Sequence, residues 1–195
     1  MSVFDLHKID KLFFGYEELS AVLGISLASA RVTASRYARA GLLLRLKRNC
    51  YIRRDSWRHL DREQKFAIAA ILQTPSYISL LTALDYYQVT TQVQQDFIES
   101  VAQQRTKSVT IESTVFMFSK LQPDLYFDFS KVKDFFIASP EKALFDALYL
   151  SSMGKYRLDF SSIDYTKFDR TTLEKLAVLF PEKTVRLYRR LYDKS

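Results

Sequence analysis

Apolar positions in the first forty residues follow the period of amphipathic helices. The spacing predicts a helix over residues 3–14, a second over residues 16–23, and a third that begins after Ser26 and ends at Gly41. Gly24 is placed to end the second helix in a left-handed conformation, and the hydroxyl of Ser26 is placed to cap the third. Alanines on one face of the third helix allow it to pack closely on the second.

After Gly41 the pattern changes to that of two short strands. Residues 42–46 and 50–54 flank a polar turn, Lys47-Arg48-Asn49, and asparagine tolerates the positive φ that such a turn requires. Three helices followed by a basic hairpin predict a winged helix-turn-helix over residues 1–58. In that arrangement the third helix enters the DNA major groove and the hairpin contacts phosphate or the minor groove.

Residues 59–195 mix helical and strand patterns and predict a second domain. Helices are expected over residues 61–72, 79–87, 139–150, 171–180 and 181–192, and strands over 96–102, 109–112, 115–121 and 133–138. Ser139-Pro140-Glu141 carries the clearest helix start, with a capping hydroxyl followed by proline at the first helical position. The fold class is therefore predicted to be α+β, a winged helix-turn-helix followed by a small, mostly antiparallel sheet with packed helices.

Positive charge is concentrated in the first of these domains. The net charge is +7, but residues 1–62 hold 12 basic and 6 acidic side chains, whereas residues 63–195 hold 17 and 16. Residues 31–58 contain nine basic side chains and one acidic one. Such a segment favours a polyanionic partner, because each cation that neutralises a phosphate releases a counterion. The alternatives are a solvated basic face and a winged helix that binds protein.

The third helix and the hairpin supply the candidate DNA contacts. Short hydroxyls and arginines reach acceptor atoms on base edges, which assigns this role to Ser29, Thr33 and Arg36. Phosphate contacts are assigned to Arg31, Arg39, Arg45, Lys47, Arg48 and Arg53.

The composition offers little material for catalysis. There are two histidines and one cysteine, Cys50, and no glycine-rich phosphate-binding string occurs. Two loose groups of aspartates match no metal-binding spacing and are expected at loops and turns: Asp124, Asp128 and Asp134, and Asp159, Asp164 and Asp169. We expect a protein that is not an enzyme and has no cofactor and no metal; a nuclease or transferase built on these aspartates is the weakest alternative. Neither a membrane span nor an export signal is expected, which favours a cytoplasmic location.

Several segments of the second domain resemble the AbiEi family. They are Pro75-Ser76-Tyr77-Ile78-Ser79-Leu80-Leu81-Thr82-Ala83-Leu84, the basic turn at 105–107, residues 116–127, and above all Ala138-Ser139-Pro140-Glu141-Lys142-Ala143-Leu144-Phe145-Asp146. The likeness spans most of the chain, because that family also begins with a winged helix. AbiEi proteins are the antitoxins and autoregulators of type IV abortive-infection toxin-antitoxin systems.

The resemblance implies a repressor that binds inverted repeats in double-stranded DNA upstream of its own operon. It also implies a functional partner, a nucleotidyltransferase-like toxin encoded beside it, which the antitoxin counteracts without a stable complex. The alternative is an adaptor whose winged helix and aromatic second domain bind a partner protein.

Overall fold

A computed structural model of the protein describes residues 3–192. The chain divides into two compact units with the boundary between Ile68 and Ala69, within helix α4 (Arg62–Leu72). The sequence interpretation places the start of the second domain at residue 59. The fold is α+β: helices and a β-hairpin in the first unit, and a six-stranded mixed sheet with packed helices in the second.

Among the described residues of the first unit, three α-helices and one hairpin precede α4. After a 3-10 helix (Val3–Lys8), the elements are α1 (Tyr16–Leu23), α2 (Leu27–Arg39), β1 (Leu43–Lys47), β2 (Cys50–Arg53) and α3 (Arg54–Trp57). The predicted turn between α1 and α2 is confirmed, since Gly24 caps α1 with a φ of 62°. The cap of α2 is confirmed as well, because the Ser26 hydroxyl accepts a hydrogen bond from the backbone N–H of Ser29.

The predicted helix over residues 3–14 is wrong beyond Lys8. The backbone N–H and C=O of Phe14 both bond to Tyr51 in β2, which requires an extended conformation at Phe14. Leu6, Ile9 and Phe14 still reach the core, where they pack with Leu19 of α1. The apolar spacing therefore correctly indicated which side chains are buried. The backbone at Phe14, however, pairs with β2 and does not continue a helix.

The second unit is built on one sheet. Its elements are β3 (Ser76–Ile78), α5 (Leu80–Tyr86), β4 (Phe97–Ala102), β5 (Lys107–Ile111), β6 (Thr114–Lys120), β7 (Phe129–Val132), β8 (Phe135–Ala138), α6 (Pro140–Ser152), α7 (Arg170–Ala177) and α8 (Glu182–Tyr192). The strand order is β5-β6-β4-β3-β8-β7, with β4–β6 and β3–β8 parallel and the other three pairs antiparallel among the described strands. Most of these pairs are antiparallel, as predicted, but the sheet has two strands that were not anticipated, β3 and β7, and two parallel pairs that make it mixed.

Helix α6 is the central helix of the second unit. Its predicted start is confirmed: Ser139 caps it by accepting a hydrogen bond from the Lys142 backbone, and Pro140 lies in its first turn. Residues 142–150 are buried along its length, where it contacts α5, α7 and α8. The ring of Phe145 lies 5.0 Å from that of Phe180 and 5.2 Å from that of Tyr188. Aromatic side chains thus fill part of the core beside α6.

Candidate nucleic-acid interface

Helix α2 has a buried face made mostly of small residues and an exposed face that carries arginines. Ala30, Thr33, Ala34 and Tyr37 are buried at i, i+3, i+4 and i+7, so one stripe of the helix faces the core. The opposite stripe leaves the arginines of the helix, Arg31, Arg36 and Arg39, exposed to solvent.

The hairpin carries the second set of cations. Strands β1 and β2 pair antiparallel, with Leu44 opposite Ile52 and Arg45 opposite Tyr51. Asn49 adopts a φ of 53°, which confirms the predicted left-handed turn residue. Its Oδ1 accepts a 2.6 Å hydrogen bond from the backbone N–H of Tyr16, and this bond ties the tip of the hairpin to the first turn of α1.

A cleft of about 820 Å³ lies between α2 and the hairpin. Five arginines line it, together with two tyrosines and a few smaller side chains: Arg31, Arg36, Arg39, Arg45 and Arg48, then Tyr16, Tyr51, Val32, Ser35 and Ala38. None of the described residues that line this arginine cleft is acidic. Five guanidinium groups around one concavity create a local positive potential that favours binding of a polyanion.

The two tyrosines of the arginine cleft lie close together. Their ring centroids are 6.0 Å apart, and Tyr51 is buried. Burial is the main cause that raises the pKa of Tyr51 to about 12, and the neighbouring Tyr16 adds to it. The Tyr51 phenol is therefore a neutral donor near pH 7, and a phenol can donate a hydrogen bond to a phosphate oxygen.

The structure thus brings together five of the nine sequence-predicted site residues. Lys47 is exposed on the hairpin, and its carbonyl accepts a 3.4 Å hydrogen bond from Arg45, but its side chain does not line the cleft. Ser29 is exposed in the first turn of α2, where its hydroxyl accepts a hydrogen bond from Ser26, and it too lies outside the lining.

The expectation that Thr33 projects from the exposed face is wrong. Thr33 is only 6% exposed and lies in the same stripe as Ala30 and Tyr37. The physical reason is the helical period, since position 33 is i+3 from Ala30 and i−4 from Tyr37. A groove-binding role for Thr33 is withdrawn. The position exposed beside it is Val32.

Arg53 also departs from the predicted group. Its guanidinium donates to the Ser56 hydroxyl at 3.0 Å, lies 3.0 Å from Nδ1 of His7, and forms an ion pair of 3.6 Å with Asp55. It lines a different cavity, of about 430 Å³, together with Leu6 and His7. Arg53 therefore stabilises the joint between the N-terminal segment and α3, and we do not assign it to the arginine cleft.

Sequence reasoning missed Tyr16, Val32, Ser35 and Tyr51 as members of the arginine cleft. Val32, Ser35, Arg36 and Arg39 follow one another at i, i+3, i+4 and i+7. This spacing is the helical complement of the buried stripe and could have been found from the period alone. The tyrosines could not, because they reach the cleft through the pairing of Phe14 with Tyr51.

The block that carries the family resemblance forms a buried polar cluster in the second unit. Lys142 and Asp146 are both fully buried and form an ion pair one helical turn apart on α6. Asp146 Oδ2 also accepts hydrogen bonds from the hydroxyls of Tyr77, at 2.9 Å, and Ser79, at 2.8 Å. Burial raises the pKa of Asp146, and Lys142 with the two hydroxyls opposes that shift. The cluster joins α6 to β3, because Tyr77 lies in that strand.

Four of the six aspartates considered for metal chemistry accept hydrogen bonds that stabilise helix starts or turns. Asp159, Asp164 and Asp169 each cap a short helical segment by accepting hydrogen bonds from backbone N–H groups two or three residues ahead. Asp128 accepts a 2.6 Å hydrogen bond from the Ser139 hydroxyl. Within residues 3–192, no group of three or more His, Cys, Asp or Glu side chains is arranged to hold a metal ion.

Comparison with protein-family models and with curated proteins found no match to this chain. In the part of the chain that the structure describes, no helix combines the length and the apolar character needed to cross a bilayer.

Proposed function

We propose that the protein binds double-stranded DNA through α2 and the β1–β2 hairpin, used as a winged helix-turn-helix. The observation that carries the proposal is the arginine cleft, in which two separate elements contribute three and two arginines to one surface. The bridge between Phe14 and Tyr51 supports it, because this bridge ties the segment before α1 to the hairpin. A helix flanked by such a hairpin can place its exposed face in a groove while the hairpin contacts the backbone.

We further propose that this DNA is the operator of the protein's own operon and that the protein is an AbiEi-type antitoxin. The resemblance of residues 75–84 and 138–146 supports this step. Those residues contribute Tyr77, Ser79, Lys142 and Asp146 to the buried cluster, so they have a structural role in the second unit. The functional partner is a nucleotidyltransferase-like toxin from the neighbouring reading frame, counteracted without a stable complex.

The test of DNA binding is a fluorescence-anisotropy titration of the full chain with a duplex from upstream of its gene, at several salt concentrations. Affinity should fall steeply with salt, and Arg36→Ala should lose about 1–3 kcal/mol of binding free energy at a specific site. Arg48→Ala should weaken specific and random duplexes alike and reduce the salt slope by about one. Arg105→Ala is the matched control, because it removes one exposed arginine from the other unit. Binding that is indifferent to salt and to Arg36→Ala contradicts the proposal.

The antitoxin role is tested by co-expression with the neighbouring toxin. Rescue of growth, together with failure of the toxin to co-purify, is the expected result. Co-purification of a stable complex, without any retardation of upstream DNA, would instead support the adaptor alternative.

A further inference from the structure

An exposed apolar side chain lines the arginine cleft. Val32 is 61% exposed, and it lines the cleft with Arg31 and Arg36. Ala28, one turn earlier on the same face of α2, is exposed as well. Val32 therefore places an apolar side chain among the arginines of the cleft, and Ala28 extends the exposed apolar surface by one turn outside the cleft.

The major groove offers one apolar group, the C5 methyl of thymine. Arginine and serine recognise acceptors, so they do not select for that methyl group. Valine does, because its two methyl groups present an apolar surface and its χ1 angle is nearly fixed within a helix. On the outer face of α2, Val32 is thus held in a defined position from which it can contact a methyl group in the groove.

We propose that Val32 determines part of the sequence specificity by packing against a thymine methyl in each operator half-site. The proposal rests on the proposed DNA-binding function. Val32 and Arg36 are four residues apart, or about 6 Å along the helix axis, which corresponds to about two base-pair steps. The thymine is therefore expected one or two base pairs from the base that Arg36 contacts.

The experiment compares the full chain with its Val32→Ala variant. Duplexes are first selected from a random library with the unchanged chain, and each thymine of the selected site is then replaced singly by deoxyuridine, which removes only the methyl group. At one thymine per half-site, replacement should weaken binding to the unchanged chain by about threefold to fivefold, the effect of one buried methyl group. The same replacement should weaken binding of Val32→Ala much less, because alanine lacks the two γ-methyl groups that reach furthest from the helix.

Two further variants separate methyl recognition from a general loss of structure. Val32→Thr keeps one methyl group and the β-branched shape, so it should retain part of the discrimination between thymine and deoxyuridine. Val178→Ala, which truncates an 81% exposed valine in the second unit, should behave as the unchanged chain. Full discrimination retained by Val32→Ala overturns the proposal.

The experiments distinguish failure of the Val32 assignment from failure of the proposed DNA binding. If Arg36→Ala weakens binding and salt screens it, but no deoxyuridine replacement affects the unchanged chain, the assignment of Val32 is overturned and DNA binding stands. If no duplex is selected and salt has no effect, both proposals are overturned.

Discussion

Phe14 and Tyr51 exchange two main-chain hydrogen bonds, each 2.9 Å long, and so join the segment before α1 to the second strand of the hairpin. The next residue, Gly15, lies against the turn: a Cβ there would come within 2.9 Å of Asn49 Oδ1. The hairpin is therefore packed on the start of α1 and does not project freely. This contact holds the hairpin, which carries Arg45 and Arg48, against the start of α1.

Asn49 is expected to stabilise this joint through both its backbone and its side chain. Asn49→Gly keeps the positive φ but loses the acceptor for the Tyr16 N–H, which should lower the free energy of unfolding by about 1 kcal/mol. Asn49→Ala also introduces left-handed strain, so a further loss of about 1 kcal/mol is expected. Urea unfolding followed by the fluorescence of Trp57, the one tryptophan of the chain and buried in this unit, measures both. Equal stability of the two variants would show that the turn conformation contributes nothing.

Alanine substitutions at Arg48 and Arg53 should have different effects, the first mainly on DNA affinity and the second mainly on the free energy of unfolding. Arg48 lines the arginine cleft, whereas Arg53 bonds to Ser56 and His7 on another part of the unit. Arg48→Ala should weaken DNA binding and change the Trp57 unfolding midpoint little. Arg53→Ala should lower the free energy of unfolding by about 1–2 kcal/mol, because it removes a half-buried network, and should alter DNA affinity less than Arg48→Ala does. If Arg53→Ala weakens DNA binding more than Arg48→Ala does, Arg53 belongs to the DNA-binding surface.

Local signals in the sequence were sufficient for most helices and for the hairpin. Ser26, Gly24, Asn49 and Ser139-Pro140 act through their own backbone or their nearest neighbours, and each is found where the sequence predicts it. The concentration of arginines at 31–48 likewise predicted the surface that they form. Such features are local, and a reading of residue type and spacing is enough to find them.

Two features that the sequence did not predict, the extended segment at Phe14 and strand β3, depend on pairing between residues far apart in the chain. Phe14 is extended because it pairs with Tyr51, 37 positions later, and β3 is a strand of three residues placed between β4 and β8. Neither has a local signature, since a run of two or three mostly apolar residues fits a helix or a strand equally. Thr33 is a different case, because its burial follows from the helical period of α2. The prediction that it contacts DNA was based on its hydroxyl group and did not take into account its place in the buried stripe.

Removing only one partner of the buried ion pair of Lys142 and Asp146 should lower the free energy of unfolding strongly. Replacing both residues with apolar ones should lower it much less. Lys142→Met leaves a buried carboxylate without its cation, so we expect a loss of about 3–5 kcal/mol in the free energy of unfolding. The double variant Lys142→Met with Asp146→Leu removes both charges and should regain much of that loss. Thermal unfolding followed by circular dichroism measures both, with Lys131→Met as the control for an exposed lysine. A double variant less stable than Lys142→Met would show that the hydroxyls of Tyr77 and Ser79 depend on Asp146 more than Asp146 depends on Lys142.

Glu18 makes the stability of the first unit sensitive to acid. Its carboxylate accepts hydrogen bonds from Lys11 Nζ, at 2.5 Å, and from the Gly15 backbone N–H, at 2.9 Å, and these contacts lower its pKa to about 2. A carboxyl whose pKa is lower in the folded chain than in the unfolded chain stabilises the fold above the unfolded value, and this contribution is lost as the pH falls. The loss should extend from about pH 4.5 down to about pH 2.

Glu18→Gln isolates this contribution, because it keeps the shape of the side chain and removes the charge. At pH 7 the variant should be about 1 kcal/mol less stable, because the glutamine can still accept the Gly15 N–H but the hydrogen bond from Lys11 loses its charged acceptor. Its difference from the unchanged chain should shrink towards pH 2, where the unchanged chain is itself becoming protonated. Urea unfolding followed by Trp57 fluorescence at a series of pH values gives both curves, and Asp10→Asn provides a control for removal of an exposed carboxylate from the same unit. A difference that stays constant between pH 7 and pH 2 would assign the effect of Glu18 to packing and not to its charge.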